Sequence, residues 1–300
     1  LLSGGAKLLC SSAVHLARRF PVVAGAAGIF LVSIGTSAPD LVSAVTAILS
    51  DQPCISVGNI LGSNFANLTL GFGVAALVSP FKCSKKIAKV EFPLLLALTI
   101  LFVLFCLSGG MSRRSGILFL AAFAAYLFFT FSQKRAKSEC GGNEIFIRCS
   151  ETWTAKKGIC AFVFSTILLA FGAHFAVKSC CRMADFFAVS KTFVGFSLVA
   201  FGTSAPEIFV VTVAAKHHRH DICCWNIVGS NLINLMLVAG ICATVRPIYL
   251  ADINFLPEAL ALVCITLISC CIFRTKKIFS RACGIAFVAT YLVVMFAAKG

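Results

Sequence analysis

The chain has 300 residues, of which 59% are apolar and 12% charged, and its mean hydropathy is +0.97. No soluble fold of this size hides that much apolar surface, so the composition excludes a soluble globular domain and points to an all-α, polytopic membrane protein. The net charge of +15 does not call for a nucleic-acid partner, because the basic residues gather in short breaks between apolar runs, where they set membrane topology.

In chain order the apolar runs cover 1–16, 22–50, 55–80, 91–109, 115–132, 158–181, 188–214, 222–245, 255–273 and 282–298. Most approach the roughly twenty residues a helix needs to cross hydrocarbon, so about ten transmembrane helices are expected. Leu1 reads as the interior of a span, so the first helix is expected to be truncated and preceded by a further segment. The polar stretch 133–157 divides the chain into a first unit, 1–132, and a second, 158–300, of five spans each. The breaks after odd-numbered spans hold most of the Lys and Arg, among them Arg18, Arg19, Lys82, Lys85, Lys86 and Lys216. Those breaks, and with them the loop 133–157, should be cytoplasmic, with both termini outside. An odd number of spans per unit makes the second enter the membrane from the opposite side, giving two inverted five-helix repeats.

The duplication is written in the residues. Gly35-Thr36-Ser37-Ala38-Pro39-Asp40 returns as Gly202-Thr203-Ser204-Ala205-Pro206-Glu207, and Asn59, Gly62, Ser63, Asn64 and Asn67 return as Asn226, Gly229, Ser230, Asn231 and Asn234, always 167 positions later. At the same offset Leu1, Leu2, Gly5, Ala6 and Phe20 match Leu168, Leu169, Gly172, Ala173 and Phe187.

Each copy places one carboxylate in apolar sequence. Pro39 and Pro206 have no N–H to give to the carbonyl four residues back, which frees an oxygen where water is absent. Thr36 and Asp40 share one helix face, as do Thr203 and Glu207, Ser63 and Asn67, and Ser230 and Asn234. Glycines at 62 and 229 allow close helix approach. A buried charge costs at least about 2.5 kcal/mol on insertion scales. No Lys or Arg stands in 22–50, 55–80 or 222–245, and Lys191 is at the very edge of 188–214. Two unpaired acids in matching frames of hydroxyls and amides therefore read as an ion site. Every donor is a hard oxygen, which suits Ca²⁺ or Na⁺, with two carboxylates neutralising one divalent ion.

Other features read as packing or interface. The 16 cysteines, including the pairs Cys180-Cys181, Cys223-Cys224 and Cys270-Cys271, lack zinc spacing and read as small packing residues. His217, His218 and His220 beside Cys223 and Cys224 are the one candidate transition-metal cluster, set against a solvated loop. Lys7 and His174 read as interfacial. Glu91 and Glu258 lie near span starts, where helix N-termini favour acids. The 29 phenylalanines read as lipid-facing and packing surface.

The GTSAP[DE] and GN-x-x-GSN-x-x-N blocks resemble the two alpha repeats of the sodium/calcium exchanger family, within the cation/Ca²⁺ antiporter superfamily. The resemblance spans most of the chain. It implies a transporter with no enzymatic activity and no cofactor, exchanging Ca²⁺ for Na⁺ by alternating access, with spans one and six sliding past the rest. By motif position it makes Asp40 and Glu207 the principal carboxylates. Thr36, Ser37, Ser63 and Asn67, with Thr203, Ser204, Ser230 and Asn234, become supporting ligands, and carbonyls near Ser33 and Ala200 complete the shells. The short central loop implies a small prokaryotic-type member in an inner membrane, with the lipid bilayer and the ions as partners and no obligatory protein partner. Asp40 stands where Glu is more common, and Asn67 and Asn234 stand where several relatives carry one Asp. Proton-coupled relatives usually show GN-x-x-E, which favours Na⁺ here. The alternatives are H⁺- or K⁺-coupled exchange of a divalent cation on the same scaffold, a cation channel, and an intramembrane acid dyad.

Overall fold

The computed structural model describes residues 33–132, 190–250, 255–275 and 278–297, with scattered helical positions between 157 and 186. The first span, the loop 133–157, Lys7, His174 and Cys180-Cys181 lie outside the described residues, so the readings that fall on them do too.

The described chain is helical almost throughout. A single turn over 33–36 leads through Ser37 into α1, Ala38–Leu49, with Pro39 in the first turn, where a missing N–H costs nothing. The next helices are α2, Pro53–Val78, α3, Ile87–Leu107, and α4, Arg113–Ser132. The second half follows with α5, Gly195–Lys216, α6, His220–Val245, α7, Leu256–Arg274, and α8, Arg281–Ala297. Among the described residues six helices are long and apolar enough to cross a membrane, which bears out the polytopic reading. The observed bounds follow the expected spans closely.

The repeat is visible in detail. α2 and α6 each change from α- to π-helical geometry for five residues, Asn67–Gly71 and Asn234–Val238, 167 positions apart. Both wide turns open on the last asparagine of the motif, the kind of irregularity that collects at functional sites. Nothing in the apolar pattern announced them. In the other pair of motif helices the symmetry is looser: the chain breaks at Ser37 before Pro39, whereas Pro206 lies inside an uninterrupted helix.

The two halves run in opposite directions. Phe81, just past α2, bridges to Phe279, just before α8. Met111, past α3, pairs with Ile248, past α6, in a two-stranded ribbon of β1, Gly110–Met111, and β2, Ile248–Tyr249. The 21 residues of α3 separate Phe81 from Met111, a rise of about 30 Å. The exit of α2 and the exit of its counterpart α6 are therefore on opposite faces. Two further ties agree. Ser79 at the end of α2 meets His218 and His220 at the start of α6, and Arg246 at the end of α6 pairs with Asp51 before α2 at 2.9 Å.

α2 and α6 form the centre, with 89% and 83% of their most apolar windows buried, against 44% for α3 and α7 and 22% for α4. Glycine lets the central helices touch. A Cβ on Gly62 would run into the Phe196 carbonyl and come within 2.7 Å of the Ala200 Cβ, so α2 and α5 meet backbone to backbone. Many phenylalanines are interior: Phe72, Phe81, Phe92, Phe273 and Phe279 cluster, with Phe72 and Phe273 centroids 5.0 Å apart. Phe128, Phe129 and Phe296 point outward, as a lipid-facing surface requires.

Candidate cation site

All ten side chains singled out by the motifs are buried, with relative exposures of 0–1%. α1 and α5 supply the acids, and α2 and α6 supply the hydroxyls and amides that face them.

Asp40 is held at both oxygens. The Ser63 hydroxyl donates to Oδ1 at 2.8 Å and the Asn234 amide donates to Oδ2 at 2.9 Å. One of these donors comes from each half, so the two repeats meet on a single carboxylate. Glu207 receives the Ser37 hydroxyl at Oε1, 3.2 Å away, again across the halves. Ser63 and Thr203 hydroxyls lie 3.3 Å apart and tie the two motifs together.

The site holds more acceptors than hydrogens. The single O–H of Thr203 lies within reach of four oxygens: Val199 O at 3.0 Å, Ala200 O at 3.2 Å, Asn59 Oδ1 at 3.2 Å and Ser63 Oγ at 3.3 Å. The Ser33 carbonyl, expected to help complete the ion's shell, accepts from the Thr36 hydroxyl at 3.2 Å and the Ser37 amide at 2.9 Å. Glu207 Oε2, Asn67 Oδ1, Asn234 Oδ1 and the hydroxyls of Ser204 and Ser230 are buried with no partner. A buried oxygen without a donor costs about 1–3 kcal/mol. A cation satisfies several such oxygens at once, and the donor set, all hard oxygen, suits an alkali or alkaline-earth ion.

Four further asparagines of the motifs, outside the expected ligand set, belong to the same polar seam. Asn59 donates to the Asp40 backbone carbonyl at 3.2 Å. Asn231 accepts from Asn67 at 3.2 Å and donates to the Asn64 carbonyl at 3.4 Å, so the amides interlock between α2 and α6. The side chains of Asn64 and Asn226 are buried without partners. The signal was their exact repetition at 167 positions.

Three groups outside the motifs are placed by the fold. Glu91 and Glu258 lie near the starts of α3 and α7, as expected, and both are buried: Glu91 is 2% exposed and accepts the Tyr126 hydroxyl at 2.9 Å, and Glu258, in the first turn of α7, is 4% exposed. The His/Cys loop forms no metal cluster. His218 Nδ1 and His220 Nε2 each lie 3.1 Å from the Ser79 hydroxyl, while the Cys223 thiol turns inward to the Val211 carbonyl. Among the described residues no group of three His, Cys, Asp or Glu side chains is placed to hold a metal.

Comparison with known proteins agrees with this geometry. The family described as sodium/calcium exchanger protein matches residues 1–132 and 157–299. The inner membrane protein YrbG of Escherichia coli is 31% identical, over 80% of this chain and 75% of its own. The sodium/calcium exchanger MaX1 of Methanosarcina acetivorans is 28% identical, over 97% of this chain and 94% of its own. A solved structure of the sodium-calcium exchanger NCX_Mj, soaked with Na⁺ and Sr²⁺, superposes with a TM-score of 0.68 at 26% identity, covering 98% of this chain and 94% of that one. With both repeats inside the matched residues, the chain belongs to the sodium/calcium exchanger family of membrane cation antiporters.

Proposed function

We propose that the protein exchanges Ca²⁺ for Na⁺ across its membrane by alternating access at the Asp40–Glu207 site. One observation carries the reading: among the described residues, five of the expected ligands, Glu207, Asn67, Asn234, Ser204 and Ser230, each keep a buried side-chain oxygen with no partner. Asp40 and Glu207 supply the charge. Thr36, Ser37, Ser63, Asn67, Thr203, Ser204, Ser230 and Asn234 supply neutral oxygens and the donors that hold the acids in place. Two carboxylates balance either one divalent ion or two monovalent ones, so occupancy by one class excludes the other and their gradients couple. Inverted halves meeting on the site give it two equivalent routes out, one to each face. In this reading the repeats are 1–132 and 158–300, the loop 133–157 is cytoplasmic, and spans one and six move.

Purified protein in proteoliposomes tests it. Uptake of radiolabelled Ca²⁺ is expected under an opposing Na⁺ gradient and not under a K⁺ or H⁺ gradient alone. Asp40→Asn and Glu207→Gln are each expected to abolish it. Uptake driven by a proton or potassium gradient would move the coupling to that ion, and conductance with no counter-ion would make the protein a channel.

A further inference from the structure

The second half carries a vacancy that the first half fills. Buried positions along α3 and α7 match at an offset of 167, from Glu91 and Glu258 through Cys106 and Phe273. α4 and α8 match at 168, because Gly116 and Leu120 touch Gly240 where Gly284 and Val288 touch Gly73. In this register Leu94, Leu118 and Tyr126 of the first half are answered by Ala261, Ala286 and Val294 of the second. All three replacements are smaller. They line a groove of about 430 Å³ along the α7–α8 seam, whose lining also includes Cys264, Ile268 and Phe65 of α2. Cys264, Ala286 and Ile268 are exposed, so the groove opens on the outer surface of the bundle, where lipid lies.

The polar group is left behind. In the first half the Tyr126 hydroxyl spans the seam and donates to Glu91 Oε2 at 2.9 Å. In the second half the acid persists as Glu258, 4% exposed, and its Oε2 has no partner. The tyrosine has become Val294, and Ala261, one turn along α7 from Glu258, lines the groove.

We propose that the α7–α8 groove binds a bilayer-dissolved phenolic amphiphile, its apolar body replacing the missing side chains and its hydroxyl donating to Glu258 Oε2. The Tyr126–Glu91 pair is the template for this chemistry. An acyl chain alone would fill the volume and leave the acid unserved. A volume of this size falls within the usual range for small-molecule sites, about 300–1,000 Å³. The site is separate from Asp40 and Glu207 and does not depend on which ion is carried.

The test is equilibrium binding of tritiated para-hexylphenol, and of its methyl ether, to the full chain in phosphatidylcholine nanodiscs, with empty nanodiscs as background. Saturable binding of the phenol is expected, preferred over the ether by about tenfold, the worth of one hydrogen bond. Val294→Tyr should abolish saturable binding and raise the thermal midpoint, because it rebuilds the first half's contact. Glu258→Met should leave phenol and ether equal. Equal binding of the two probes to the unaltered protein, uptake no different from empty nanodiscs, or unchanged binding to Val294→Tyr would overturn the proposal. The Val294→Tyr comparison stands even where Glu258→Met fails to fold.

Discussion

Asp40 and Glu207 differ in how they are held, although their frames are nearly the same. Asp40 has a donor on each oxygen, Ser63 from α2 and Asn234 from α6, while Glu207 has Ser37 on one and nothing on the other. Asn234 is therefore both a clamp on Asp40 and, through its partnerless Oδ1, a candidate ligand. Asn234→Ala removes both roles and is expected to raise the Ca²⁺ concentration for half-maximal uptake at least about tenfold, since a hydrogen bond to a charged group is worth about 1.5–3 kcal/mol. Asn64→Ala, which removes an amide with no side-chain partner, is expected to affect Ca²⁺ dependence less; an equal effect would make Asn64 a ligand as well. The two acids and their hydroxyls were legible in the sequence, because a carboxylate in an apolar run needs a reason and the repetition supplied one. Which donor serves which oxygen was not, because Asn234 and Asp40 are 194 residues apart.

At the scale of the helices, glycine and geometry decide more than apolarity. Gly62 sits where α2 crosses α5 with no room for a side chain. Gly62→Ala is expected to lower stability by about 1–3 kcal/mol through overpacking, seen as a lower thermal unfolding midpoint. Gly202→Ala is the comparison. Its Cβ would meet no described atom within 4 Å, and a helix-interior glycine costs about 0.5–1 kcal/mol relative to alanine, so the midpoint should hold or rise. Spans and breaks were readable from apolar runs, since length against hydrocarbon thickness fixes them. The π turns at Asn67 and Asn234 were not, because a one-residue change of helical hydrogen bonding leaves the apolar run unbroken. The partner of Glu91 was hidden for a similar reason: proximity to a span start says nothing about the tyrosine waiting on α4.

Across the whole molecule, the halves are bound by an aromatic core and by ties at both faces. Phe279 is fully buried against Phe81, Phe273 and Phe287, at centroid distances of 5.4, 5.2 and 4.9 Å. Phe279→Ala should cost about 3–5 kcal/mol, as in other buried aromatic truncations. The Asp51–Arg246 pair also joins the halves, but its side chains are 73% and 51% exposed. Arg246→Gln is expected to change stability by less than about 1 kcal/mol. A much larger loss, read by the same thermal unfolding measurement, would show that this tie is shielded from solvent in the bilayer.

The amino-acid order alone determined that the chain lives in a membrane, that it is a duplication, and which acids lie at its centre. Those facts rest on composition and on exact repetition, both local properties that survive without coordinates. Only the folded arrangement decided that the acids share donors from opposite halves, that the asparagines interlock, and that one seam is filled while its counterpart is open. Those outcomes depend on contacts between residues far apart in sequence, where a missing hydroxyl or a smaller side chain counts only once its neighbour is known.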